Sequence, residues 1–269
     1  MKKVAASVYV ETGFRGCNAS LVVTGEGVVM IDTPQVPAEA RQWRDEITRH
    51  GEVVYLINTE PHGDHYSGNM FFGGTVVGHE GTREAIRTAT VKQLEDMLRR
   101  VAPESLPLEK GFRFRPPTIT LSQRLTLHLG DHTFRLINLP GHSPYQVAVF
   151  VPEERVVFTG DNVVNGTPPF MHQALPFEWL KTLDYLEKLE VDVIVPGHGE
   201  PCDQSYLPTM KATVRKWIDA VAAAIKQGMS LEEAQEKVAV IDLADERARM
   251  IQRMNIGHLY EVLKATPAR

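Results

Sequence analysis

One short stretch, NTEPHGDHYSGN at residues 58–69, holds four side chains of the types that bind metal ions. Glu60, His62, Asp64 and His65 fall within six positions, directly after the apolar run VVYLIN. Imidazole and carboxylate at this density suit a divalent metal, and a loop can turn alternate side chains toward one centre or two. A polar surface loop is the alternative for this stretch taken alone.

Three more polar residues occupy comparable positions later in the chain. His142 in NLPGHSPYQ, Asp161 in FTGD and His198 in VPGHGEP each follow an apolar, strand-like run. Each has a glycine beside it, and glycine lets the backbone turn tightly next to a ligand residue. Packing does not account for this repeated arrangement, so we predict that these residues and the 60–65 stretch form one site.

Strands and helices must bring these residues together, and the sequence predicts an α/β protein. Short apolar runs of strand length alternate with stretches whose apolar residues have helical spacing. The predicted strands include ASLVVT, GVVMID, VVYLIN, TITLS, LTLHLG, TFRLINLP, QVAVFVP, RVVFTGD and VDVIVPG. The predicted helices cover 37–50, 80–101 and about 177–189, followed by a helical tail from about 205 to the end. A loop with four prolines covers 102–118, and Ser230 with Glu233 predicts a capping box in the tail.

Two parts of the chain share an order of elements. A strand ending in Asp32, a helix and a buried strand precede His62, and a strand ending in Asp161, a helix and a strand precede His198. We favour two related halves that face each other with their polar strand ends along one edge. Open sheets bind ligands just beyond strand ends, so this edge is the expected site. Coincidence within an ordinary α/β protein is the alternative.

Taken in order, the motifs H-x-D-H, P-G-H, F-T-G-D and P-G-H-G resemble those of the metallo-β-lactamase superfamily over about residues 18–200. The resemblance implies an αββα sandwich of the metallo-β-lactamase type, with a two-metal site at one edge. The implied ligands are His62 and His142 for the first metal, Asp64, His65 and His198 for the second, and Asp161 as the bridge. Asp32 matches the structural aspartate of the family, which orients the loop rather than binding metal.

Glu60 departs from the family pattern, which reads H-x-H-x-D-H where this chain reads E-x-H-x-D-H. A carboxylate can bind Zn²⁺, but it favours harder ions such as Mn²⁺ or Fe²⁺ more than imidazole does. Three outcomes are open: Glu60 is a direct ligand, it acts only through water or an outer contact, or it leaves the first site weak. We expect two divalent metal ions, with zinc ahead of manganese or iron.

The implied site predicts a metal-dependent hydrolase. A water activated by the metals would attack a polarised carbonyl, with Asp64 as the catalytic residue that orients the water or moves its proton. This chemistry suits an ester, thioester, lactone or amide bond of a small molecule. The alternatives are an iron-dependent oxidoreductase (sulfur dioxygenase-like or di-iron), a nuclease of the same superfamily, and a ligand sensor without catalysis.

The composition sets the wider expectations. The 269 residues suit a single domain, with a core sandwich at 1–204, a helical and proline-rich insertion at about 80–117, and a helical extension at 205–269. A net charge of −5 without a Lys/Arg cluster disfavours nucleic acid. No apolar run reaches the ~20 residues that span a bilayer. With two cysteines and MKKVAAS interpreted as a strand rather than a leader, we expect a cytoplasmic protein without a membrane partner.

Candidate substrate contacts follow two of the motifs. Tyr145 lies just after His142 and could donate a hydrogen bond to the substrate, with packing as an equal alternative. Phe170 and His172, in the loop NVVNGTPPFMHQ, are further substrate-binding candidates, although a surface position is favoured for His172. The helical tail either covers the site or forms a homodimer contact, and the sequence leaves both open.

Overall fold

The chain folds into two facing β-sheets with helices on both outer faces, as predicted for an αββα sandwich. The structure, a computed structural model, describes residues 1–243 and 245–265. Its α-helices are α1 (Pro37–Ile47), α2 (Gly63–Tyr66), α3 (Glu80–Thr88), α4 (Val91–Val101), α5 (Pro176–Leu186), α6 (Leu207–Lys226), α7 (Leu231–Lys237) and α8 (Glu246–Ala265).

The first sheet has seven strands that follow one another in chain order. They are β1 (Lys2–Lys3), β2 (Val8–Glu11), β3 (Ala19–Thr24), β4 (Gly27–Ile31), β5 (Val53–Ile57), β6 (Thr75–His79) and β7 (Ile119–Leu121). The strands from β1 to β4 pair antiparallel, and those from β4 to β7 pair parallel.

The second sheet has five strands. They are β8 (Arg124–Leu129), β9 (His132–Asn138), β10 (Val147–Val151), β11 (Val156–Phe158) and β12 (Val193–Val195), in the spatial order β12-β11-β10-β9-β8. All neighbours pair antiparallel except β11 and β12, which pair parallel. The units β4–α1–β5 and β11–α5–β12 are therefore the two similar parts that the sequence indicated, one in each sheet.

The alternation of side chains along each strand divides the apolar core into layers. In β3, Val22 lies in the core between the sheets, whereas its neighbour Leu21 lies in the outer core with Trp43 of α1. In β10, Val149 lies between the sheets and Phe150 lies in the outer core beneath α5 and α6. Because both faces of these strands are buried, their sequences are continuous apolar runs rather than alternating ones.

The helix predicted over 80–101 is two helices, α3 and α4. The first ends at Thr88, and Thr90 begins the second, because its hydroxyl accepts the Gln93 N–H while the Gln93 side chain accepts the Thr90 N–H. This capping box gives the chain a helix start in the middle of the predicted segment. After α4, the proline-rich stretch packs Phe112 and Phe114 against a small core of Val36 and α4 side chains.

The C-terminal helices α6, α7 and α8 pack with α5 over the outer face of the second sheet. The predicted capping box of Ser230 and Glu233 is present at the start of α7. Residues 244 and 266–269, which the helical prediction includes, lie outside the described residues. No helix among residues 1–243 and 245–265 is long and apolar enough to cross a membrane.

A buried histidine joins the two sheets away from the predicted site. His132, 5% exposed, contacts Asp131 through Nδ1 (2.8 Å) and Glu154 through Nε2 (3.1 Å). The second carboxylate oxygen of Glu154 accepts the N–H of Ser7, just before β2 (3.0 Å). Burial lowers the pKa of His132, but the hydrogen bonds to Glu154 and Asp131 outweigh burial and raise it above its usual value. The pair of His132 and Glu154 therefore contributes a pH-dependent interaction to folding.

Candidate metal centre

Strand ends from both sheets converge on the site that the sequence indicated. Glu60 to His65 follow β5 of the first sheet, and His62 is the residue before α2. His142 follows β9, Asp161 follows β11 and His198 follows β12, all in the second sheet. The structure brings the side chains of all seven predicted ligands together, in groups of three whose nitrogen and oxygen atoms lie within 4.8 Å of one another.

Glu60, His62 and His142 form the first cluster. His142 Nε2 lies 3.1 Å from His62 Nδ1 and 3.4 Å from Glu60 Oε2. The other ring nitrogen of His62 contacts Gln173 Oε1 at 3.2 Å, so Nδ1 is the nitrogen of His62 that faces the cluster.

Asp64, His65 and His198 form the second cluster. His198 Nε2 lies 3.2 Å from Asp64 Oδ2, and His65 Nε2 lies 3.8 Å from the same oxygen. Asp161 lies between the two clusters: its Oδ2 is 3.4 Å from His198 Nε2 and 3.6 Å from His142 Nε2. One carboxylate thus contacts a histidine of each cluster.

Glu60 is fully buried, and its two oxygens have different surroundings. Oε1 accepts hydrogen bonds from Gln146 Nε2 and from the Asp161 N–H, both at 3.0 Å. Oε2 faces His62 and His142. Since two donors hold Oε1 in place, Oε2 is the oxygen that Glu60 presents to the first cluster.

Outer contacts fix which nitrogen two of the histidines present. Asp32 Oδ2 lies 2.9 Å from His65 Nδ1, while the Asp32 carboxylate also accepts the Thr59 N–H and hydroxyl at 2.8 and 2.6 Å. His142 Nδ1 lies 2.8 Å from the Phe170 carbonyl, which can only accept, so Nδ1 carries the proton. Both rings therefore present Nε2 to the site. Such contacts orient the ligands of metal centres.

Two observations indicate that these residues fit a pair of divalent ions. His65 Nε2 and Asp161 Oδ1 lie 3.4 Å apart, are buried, and make no hydrogen bond within the described part of the chain. Leaving such atoms unpaired costs about 1–3 kcal/mol each. Ligand atoms that lie about 2.0–2.2 Å from a tetrahedral zinc ion lie about 3.4 Å from each other. Most of the distances given above between side-chain nitrogen and oxygen atoms are close to this value.

Charge is balanced inside the site by paired acids and histidines. Burial lowers the pKa of His198, but Asp161 and Asp64 outweigh burial and raise it to about 10. Burial raises the pKa of Asp161, but His198 and His65 hold it well below its usual range. For His142, burial is the largest effect and lowers the pKa, so its ring is neutral. Metal binding at His198 would therefore release a proton.

The three predicted substrate contacts have different surroundings. Tyr145, 39% exposed, stacks on His79 with ring centroids 5.1 Å apart and an angle of 23°. His79 itself begins α3 by accepting the Gly81 N–H, which is the structural role that its position suggests. The ring contact of Tyr145 is thus with this helix start, outside the two clusters.

His172, for which a surface position was favoured, is half-buried and lies beside the first cluster. Its ring centroid lies 4.9 Å from that of His62 and 6.3 Å from that of His142, and its Nδ1 is buried. Burial, with the neighbouring charge of His62, lowers the pKa of His172 to about 4, so its ring is neutral. Phe170 stands beside it, with ring centroids 6.0 Å apart. The loop after Asp161 turns inward because its backbone bonds to His142.

Two residues of the site were missed in the sequence. Gln146 fixes Glu60, and Asn162 accepts the His142 N–H at 3.0 Å while donating to the Leu139 carbonyl at 2.7 Å. Asn162 is adjacent to Asp161, so proximity to a predicted ligand was a usable signal. No comparable signal in the sequence pointed to Gln146, because its partner Glu60 is 86 positions away.

The chain thus belongs to a class of protein with an αββα sandwich and a candidate two-metal centre. In this class, two clusters of histidine and carboxylate side chains lie at the strand ends. The model of the metallo-beta-lactamase superfamily matches residues 12–198. The chain belongs to this superfamily.

Three known proteins show the range of its relatives. A linear primary-alkylsulfatase of Pseudomonas sp. (strain ATCC 19151) is 22% identical over 260 residues, which cover 81% of this chain and 49% of the sulfatase. An acyl-coenzyme A thioesterase of Bos taurus is 25% identical over 214 residues, covering 71% of this chain and 75% of that protein. The crystal structure of a metallo-beta-lactamase family protein from Thermus thermophilus has a TM-score of 0.71 at 19% identity, covering 96% of this chain and 94% of that one. The chain thus spans about half the length of the alkylsulfatase.

Proposed function

We propose that this chain is a metal-dependent hydrolase that cleaves an ester, thioester, lactone or amide bond of a small molecule. The observation that carries the proposal is the pair of clusters that share Asp161, with His65 Nε2 and Asp161 Oδ1 buried between them without a hydrogen bond. The names of the two curated relatives, an alkylsulfatase and a thioesterase, support hydrolysis as the reaction class.

In this proposal the clusters hold one ion each. Glu60, His62 and His142 bind the first, Asp64, His65 and His198 bind the second, and Asp161 bridges them. Bound divalent ions supply Lewis acidity and a water that is nucleophilic at neutral pH. Zinc suits the mixed nitrogen and oxygen donors, and Glu60 makes manganese or iron the alternatives.

Asp64 is the residue we assign to the water. Its side chain is 28% exposed, compared with 0% for Glu60 and 10% for Asp161, so it is the carboxylate most open to an entering molecule. Burial raises the pKa of Asp64, but His65 and the hydrogen bond to His198 outweigh burial and lower it. An ionised Asp64 can accept a hydrogen bond from the water and later take its proton.

The substrate would enter past the loop that carries Phe170 and His172. His172 is neutral and sits beside His62, so its ring can bond to a substrate oxygen without adding charge to the first cluster. The Phe170 ring beside it gives this side of the site an apolar surface. Tyr145 stays a candidate substrate contact. A cytoplasmic location, a homodimer, and the absence of nucleic-acid and membrane partners stay predictions.

Metal content and turnover together test the proposal. Purified protein is analysed for metals, then stripped with a chelator and reconstituted with Zn²⁺, Mn²⁺ or Fe²⁺, and each form is assayed on esters, thioesters, lactones and β-lactams. We expect at least one tightly held ion per chain and turnover that disappears on stripping and returns with metal. A protein that holds no transition metal in any form contradicts the proposal. Metal without turnover on any substrate favours the sensor, and bound iron with a coloured protein favours the oxidoreductase.

A further inference from the structure

The last helix of the chain reaches the loop beside the first cluster. Asn255 of α8 is fully buried, and its side chain bonds to the backbone on both sides of Phe170. Its Nδ2 donates to the Pro169 carbonyl at 2.8 Å, and its Oδ1 accepts the Met171 N–H at 2.7 Å. Both polar atoms of one side chain thus hold three consecutive residues in place.

The residue between these two contacts orients a predicted metal ligand. The Phe170 carbonyl accepts the Nδ1–H of His142 at 2.8 Å, which leaves the Nε2 lone pair directed at Glu60 and Asp161. A continuous set of hydrogen bonds therefore runs from α8 through the 169–171 backbone to the ring of His142. The same helix holds the loop a second time, where His258 Nε2 contacts the Ala174 carbonyl at 2.8 Å.

We infer that Asn255 is a positioning residue of the first metal cluster, acting through the Phe170 carbonyl on the ring of His142. The inference rests on the proposed function, because it requires that His142 binds a metal. Outer partners of metal-binding histidines typically contribute 10–100-fold to metal affinity. The C-terminal extension would then be a part of the active site rather than only a cover for the second sheet.

The same helix offers a matched control. Gln252, 4% exposed, is also a buried amide of α8, and its Oε1 accepts the N–H groups of Val240 and Ile241 at 2.8 and 3.4 Å. These partners belong to the connection before α8, away from the 169–174 loop. Replacing either amide by leucine removes buried hydrogen bonds from the same helix, but only Asn255→Leu removes the support of the Phe170 carbonyl.

The test compares Zn²⁺ binding and folding in the full-length chain. The affinity of the wild type, Asn255→Leu and Gln252→Leu for Zn²⁺ is measured by competition with a chromophoric chelator, and the Tm of each metal-free protein is measured alongside. We expect about 10–100-fold weaker binding of one Zn²⁺ in Asn255→Leu. Gln252→Leu should lower the Tm and keep the wild-type affinity.

A second readout needs no metal. In the metal-free protein, the ¹⁵N shifts of the His142 ring should report a proton on Nδ1 in the wild type and in Gln252→Leu, and a mixture of tautomers in Asn255→Leu. If Asn255→Leu does not fold, Asn255→Asp keeps the acceptor for the Met171 N–H and should give a smaller loss of affinity. Equal Zn²⁺ affinities in wild type and the Asn255 variant overturn the inference alone. A wild type that binds no Zn²⁺, Mn²⁺ or Fe²⁺ overturns the proposed function and this inference with it.

Discussion

Replacing Glu60 by glutamine tests the most unusual residue of the site with almost no change of shape. The remaining carbonyl oxygen of the glutamine can still accept from Gln146 and from the Asp161 N–H, which bond to Oε1 at 3.0 Å. An NH₂ group then replaces Oε2 and faces His62 and His142. This group has no lone pair for a metal, so the first cluster loses one of its three side-chain ligands.

The size of the effect follows from the contacts. Loss of a residue that only orients a ligand costs 10–100-fold in metal affinity. Loss of the ligand itself should therefore cost at least about 100-fold, or about 2.8 kcal/mol at about 1.4 kcal/mol for each factor of ten. The second cluster keeps Asp64, His65, His198 and the shared Asp161, so we expect one tightly held ion per chain instead of two.

Elemental analysis after dialysis and Zn²⁺ titration against a chelator measure both quantities. Glu154→Gln is the matched control, because Glu154 is also a buried glutamate paired with a histidine, 3.1 Å from His132. This control should lose stability and keep both ions. A Glu60→Gln protein with the metal content and affinities of the wild type would refute direct ligation by Glu60 and leave it an outer contact.

Three further perturbations have defined outcomes. In Asp32→Asn, the asparagine tolerates the left-handed backbone found at this position (φ 56°), but the carboxylate that orients His65 is lost. Zn²⁺ titration should therefore show about 10–100-fold weaker binding. Gly197→Ala places a Cβ 1.9 Å from Asp161 Oδ1, so elemental analysis should find at least one ion lost; full occupancy would contradict the close approach. The pKa of His132 is raised, so its contribution to stability is complete below about pH 6.5 and declines as the pH rises through the raised value. Urea unfolding should therefore show His132→Ala to be more destabilising at pH 6 than at pH 9, and equal effects would contradict the assignment.

The convergence of the predicted ligands could be foreseen because each strand end that carries one is encoded locally. An apolar run followed by glycine and a histidine or aspartate marks a strand end, as at His142 and His198, and the fold gathers such ends at one edge. The order of strands within each sheet could not be deduced in this way, since pairing depends on contacts between distant segments. The division of the 80–101 helix at Thr90 was a local signal, because the T-x-x-Q pattern predicts a helix start, but the continuous helical spacing of apolar residues obscured it.

The residues that hold the predicted ligands in place could not be recognised in the sequence, for a physical reason. Gln146 and Asn255 are single polar residues in otherwise ordinary segments, and each acts on a partner more than 80 positions away. Only the folded chain shows that their amides are buried and paired. The surroundings of His172 could not be deduced for the same reason, since they depend on how the loop after Asp161 lies against His142.

The origin of the predicted ligands in both sheets would link metal supply to the lifetime of the protein. Glu60 and His62 follow a strand of one sheet, and His142 follows a strand of the other, so an ion can bind all three only in the folded chain. Binding restricted to the folded state stabilises it by about 2.7 kcal/mol at a free metal concentration of 100 times the Kd. Metal starvation would therefore do more than stop turnover: it would enlarge the unfolded fraction that proteases degrade, so that the amount of protein would follow the metal available to it.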